Sequence, residues 1–64
     1  MTPKIEAMGD INAARENLVH CSTDIIKDRF GDSLEEVNKA IKALNSAKSK
    51  LEECIELTEN KEII

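Results

Sequence analysis

The chain has 64 residues, a net charge of −4 and one aromatic residue, Phe30. That length allows a single domain, near the lower size at which a chain buries enough apolar surface to stay folded alone. The acidic balance argues against general nucleic-acid binding through a basic surface, without forbidding it. The start, Met1-Thr2-Pro3-Lys4-Ile5-Glu6, lacks the apolar stretch of a signal peptide, and no apolar run approaches a membrane span. A cytoplasmic protein without membrane contact is expected.

Thr2 and Pro3 form a helix entry: Thr caps, and Pro takes the first helical position, where its missing N–H costs nothing. Gly9-Asp10 offers a rival start. The earlier one is preferred because a helix over about 3–30 matches a second over about 34–60. The first helix carries Ala7, Ile11, Ala14, Leu18, Cys21 and Ile25 in alternating steps of four and three, a heptad-type seam. Beside it runs a thinner row at seven-residue spacing, Ile5, Asn12, Val19 and Ile26, with Phe30 nearby. Between the rows lies a mostly polar ridge, Met8, Arg15, Ser22 and Arg29. An apolar arc this wide suits a helix that contacts two others.

The stretch Arg29-Phe30-Gly31-Asp32-Ser33-Leu34-Glu35-Glu36 reads as a stop followed by a start. Gly31 supplies the left-handed residue that closes the first helix. Ser33 with Glu36 reads as a capping box, with Asp32 as the rival cap. The turn is therefore expected at 31–33, between antiparallel arms.

In the second helix Leu34, Val37, Ile41, Leu44, Leu51, Ile55 and Thr58 follow the three-four rhythm, with Lys48 as the one polar interruption. Ala40, Ala47 and Cys54 widen the stripe on one flank. Charge is blocked: Lys39, Lys42, Lys48 and Lys50 form a basic stretch, and five glutamates follow from Glu52 to Glu62 against Lys61. Acid near a helix C-terminus is mildly unfavourable with the helix dipole. Head-to-tail pairing of two hairpins would instead bring one acidic end towards the other's basic stretch; a solvated face with chance blocks is the competing reading. Residues 61–64 read as a loose tail.

The fold class is all-α: one domain over 1–64, a two-helix antiparallel hairpin expected to dimerise into a four-helix bundle. Such a hairpin places Cys21 and Cys54 some 18 Å apart along its length, too far for an internal disulfide. Both read as buried reduced thiols.

Catalysis needs positioned acids, bases or nucleophiles in a pocket that excludes water. His20 falls on the polar face, and Glu16 to His20 has no counterpart on the second helix. Zinc spacings, phosphate loops and nucleophile motifs do not occur. No enzyme activity, cofactor or metal is expected.

The second row carries the binding expectation. Val19, Ile26 and Phe30, with Arg15 and Arg29, form either the dimer seam or a docking groove for another protein's helix. Lys39, Lys42, Lys48 and Lys50 are a secondary candidate strip. The expected function is a small regulatory or adaptor protein of bacterial or phage type that binds another protein; a purely structural subunit of a helical assembly is an alternative. In length, hairpin form and acidity the chain resembles the Rop-type plasmid copy-number proteins. These are small acidic helical hairpins that dimerise into a four-helix bundle and bind paired RNA loops. No functional motif aligns, so no residues carry over. The resemblance implies RNA binding by a local basic strip as a further alternative, for which Lys4, Arg15, Lys27, Arg29 and Phe30 are the candidates.

Overall fold

A computed structural model describes the backbone of residues 2–63 and the side chains of residues 2–58. The chain is two helices, α1 over Pro3–Ile26 and α2 over Phe30–Ile63, packed antiparallel into a rod with extents 55 × 15 × 14 Å. Its radius of gyration, 15.5 Å, compares with about 11 Å for a compact globular chain of this length.

Helix α1 begins where Thr2 caps it: the Thr2 hydroxyl accepts a hydrogen bond from the Ile5 N–H at 3.3 Å, and Pro3 follows at the first helical position. Gly9 lies inside the helix.

The connection sits four residues earlier than the glycine suggests. Helix α1 ends at Ile26, and Lys27–Arg29 make the turn. Asp28 supplies the left-handed residue, with φ 59°. Its N–H donates to the Ile25 carbonyl at 3.0 Å, and the Arg29 N–H donates to the Asp24 carbonyl at 2.7 Å. These two bonds are the Schellman pattern that satisfies a helix's last carbonyls. Aspartate tolerates this backbone region better than most residues, so the motif closes without glycine.

The expected turn at 31–33 is thereby corrected, since Gly31 lies in the first turn of α2 at a negative φ. Ser33 is corrected too. It does not cap α2 but is buried within it, donating to the Cys21 carbonyl at 2.9 Å. The arms are consequently unequal, 24 and 34 residues. The tail expected at 61–64 is helical through Ile63, since no glycine or proline interrupts α2 after Gly31. Ile64 lies outside the described residues.

The seam between the helices is made of small side chains. Among the described residues the buried ones are Ala7, Ala14 and Cys21 of α1 and Ser33, Ala40 and Ala47 of α2, each set spaced by seven. Small residues at a contact bring helix axes towards the near end of the usual 8–10 Å range. The larger members of the expected seams are displaced from it: Ile11, Leu18, Leu44 and Leu51 are each 41–50% exposed. Ala40 and Ala47, expected on a flank, occupy the contact itself. Cys21 and Cys54 are both free, the first buried and the second half-buried.

Candidate functional site

The seam divides the rod into two unlike faces. Three residues after each buried position come Asp10, Asn17 and Asp24 on α1 and Glu36, Ala43 and Lys50 on α2, all half-buried. Four residues after each come Ile11, Leu18 and Ile25 on α1 and Val37, Leu44 and Leu51 on α2. At about 100° per residue these two sets fall on opposite sides of the contact line. Two observations fix which sides meet. Lys50 bonds to Asp10 across the seam, so the +3 sets share one face. Ile11 and Leu51 line one groove, so the +4 sets share the other.

The polar face is held by Lys50. Its ammonium lies 3.0 Å from Asp10 Oδ2, 3.8 Å from Glu6 Oε2 and 3.0 Å from the Ser46 hydroxyl. The Lys50 bond, and then Ser46, holds the Asp10 carboxyl below the usual aspartate range. The same Asp10 contact raises Lys50.

The apolar face is a strip of large aliphatic side chains, interrupted on α2 by Lys48, which stands seven residues from both Ile41 and Ile55. Leu18 is 47% exposed, Leu44 44%, Ile55 57% and Ile41 49%. Near the open end the strip dips into a groove of about 490 Å³ between Met8, Ile11, Leu51 and Cys54, with Lys4 and Arg15 among its lining residues. On the α1 side the apolar surface continues outward through Met8, Val19 and Ile26, which lie about 120–140° around the helix from the seam.

The residues expected to form the site separate accordingly. Arg15 joins the groove lining on the apolar face. Val19 and Ile26 form the outer flank of that face, and Ile26 is the most exposed of the described large apolar side chains at 82%. Phe30, exposed in the first turn of α2, and Arg29, in the connection, lie at the turn end of the same surface.

The four lysines do not form a strip. Lys39 lies 3.7 Å from Glu36, Lys50 is committed to Asp10, and Lys42 is exposed. Lys48, two positions before Lys50, points about 200° away from it. Their nearness in sequence dissolves once the helix turns. His20 is exposed, and among the described residues no cluster of His, Cys, Asp and Glu could hold a metal ion. None of the described helices is long and apolar enough to cross a membrane.

The sequence reading missed the inner strip as a surface, having assigned Ile11, Leu18, Leu44 and Leu51 to the contact between the arms. The signal was available in the strict seven-residue spacing of small residues, at 7, 14 and 21 and at 33, 40, 47 and 54. Two runs of small side chains can face each other closely only if the large ones stand aside.

Comparison with protein-family models, with curated proteins and with solved structures finds no match to this chain.

Proposed function

We propose that this chain is a non-enzymatic binding protein of regulatory or adaptor type, working through its apolar face. In this reading the inner strip pairs with a second copy to form a four-helix bundle. The outer flank of α1, with Val19, Ile26, Phe30, Arg15 and Arg29, then docks a helix of another protein.

One observation carries the reading. The hairpin's own contact uses small residues, while its large aliphatic side chains are held together, half-exposed, on one face. Scattered apolar residues on a surface need no explanation, but a row of large apolar side chains gathered on one face marks an interaction site. The inner strip would be covered in a face-to-face pair, whereas Val19 and Ile26 sit far enough round α1 to stay accessible beside it.

The two surfaces can be tested separately. Leu18→Asp should abolish self-association. Val19→Asp combined with Ile26→Asp should leave the dimer intact and remove the host protein retained by the immobilised wild-type chain. If the flank variant becomes monomeric, the dimer contact has been placed wrongly. If wild type and flank variant retain the same host proteins, the docking role fails.

A further inference from the structure

We infer that the segment docking on the outer flank of α1 is an acidic amphipathic helix, whose aliphatic side chains meet Val19 and Ile26 and whose carboxylates meet Arg15 and Arg29. This rests on the docking reading above and names the partner's chemistry.

The sign of the charges is the first ground. The chain holds 13 acidic residues against 9 basic ones, yet the flank carries only cations. Lys4, Met8, Arg15, Val19 and Ile26 lie within about 60° of arc on α1, and Arg29 follows in the connection. The acids of α1 lie elsewhere: Glu6, Asp10 and Asp24 are on the polar side of the seam, and Glu16 stands about 60° beyond Val19. The groove that Lys4 and Arg15 help to line has no carboxylate among its lining residues. On the other border of the strip Lys48, between Ile41 and Ile55, repeats the sign.

The second ground is that these cations are unanswered. Among the described residues the ion pairs are those of Lys50 with Glu6 and Asp10 and of Lys39 with Glu36, and Arg15, Arg29, Lys4 and Lys48 make none. Arg15 stands four residues before Val19 and Arg29 three after Ile26, so a guanidinium brackets the aliphatic pair at each end. A segment seated on Val19 and Ile26 covers Arg15 as well. Removing a guanidinium from water without a partner is costly, whereas a carboxylate meets it through two parallel hydrogen bonds. The flank therefore rejects basic helices as well as favouring acidic ones.

The form of the partner follows from spacing and charge together. Val19 and Ile26 stand seven residues apart, about 10 Å along α1, the repeat with which one helix seats on another. The same face of a second copy presents the same cations and cannot answer them. The inner strip of Ile11, Leu18, Leu44 and Leu51 has no charge and escapes that constraint. An anionic bilayer offers negative charge, but the net charge of −4 opposes its approach, and insertion would carry Arg15 in among the acyl chains.

The test is selection on the immobilised full-length chain from a displayed library of amphipathic helices. Each library helix has a leucine stripe, and the positions bordering the stripe are either Glu or Lys. Wild type should enrich Glu over Lys by about two- to fivefold at those positions, and Arg15→Glu should lower or reverse the ratio. Val19→Asp combined with Ile26→Asp should release the selected helices, with circular dichroism checking that both variants remain helical. Helices retained by the flank without preference for Glu would overturn the acidic partner and leave the docking reading standing. Retention of none, or equal retention by wild type and the Val19, Ile26 variant, would overturn the docking reading itself. Wild type that pellets with phosphatidylglycerol vesicles, and loses this in the same variant, would put a lipid surface on the flank and overturn the helix partner.

Discussion

Asp28, Gly31 and Ser33 show how one residue redirects a reading of this chain. Glycine is the usual left-handed closer of a helix, yet here Asp28 takes that role at φ 59° and Gly31 is an ordinary helical residue. A Cβ at Gly31 would meet nothing within 4 Å. Gly31→Ala should therefore stabilise the protein, by about 0.5–1 kcal/mol, which thermal unfolding would show as a rise of a few degrees. A fall would mean that Gly31 is needed at the turn after all. Asp28→Gly should also stabilise, by up to about 1 kcal/mol, since it relieves the left-handed backbone cost. Ser33 bonds to the Cys21 carbonyl across the seam, a role that a capping pattern in the sequence cannot announce.

At the scale of the helices, the hairpin form, the Thr2-Pro3 entry and the wide apolar arc of α1 were legible from spacing alone. What spacing could not decide was which part of the arc faces the other arm. Ala14 and Leu18 lie on neighbouring lines of the same helix, and hydrophobicity favours the leucine for burial. Close approach favours the alanine, because two facing rows of small side chains allow tight backbone packing whereas leucines hold helices apart. Overpacking therefore separates the two lines. Ala47→Leu should destabilise the hairpin by about 1–3 kcal/mol, measured by denaturant unfolding. Leu44→Met, on the exposed strip, should cost well under that. Equal effects would mean that the seam is not where the small residues meet.

The polar face gives the register a pH dependence. Asp10 is held below its ordinary pKa by Lys50 and Ser46. Its contribution is thus fully present above about pH 4, the unfolded-chain value, and is lost as pH falls through the lower native value. Asp10→Asn should reduce stability at neutral pH and flatten the acid limb of the stability profile. An unchanged acid limb would remove Asp10 from that role. Lys50 works in the opposite sense: its contribution holds below the unfolded-chain lysine value and declines as pH rises through its raised native one.

For the whole molecule, the decisive quantity is how little the hairpin buries by itself. Among the described residues the buried ones are alanines, one cysteine and one serine, and each contributes far less apolar area than a leucine. A 64-residue chain ordering two long helices around such a seam sits near zero net stability. In the proposed dimer, covering the strip of Ile11, Leu18, Leu44 and Leu51 would supply the missing burial, and folding and association should then be one process. The thermal midpoint should accordingly rise with protein concentration. The most direct measurement is sedimentation equilibrium of the unmodified chain at micromolar concentration, with helicity followed in parallel. The account predicts a dimer whose dissociation on dilution is accompanied by loss of helix. A monomer that stays fully helical across that range would contradict it.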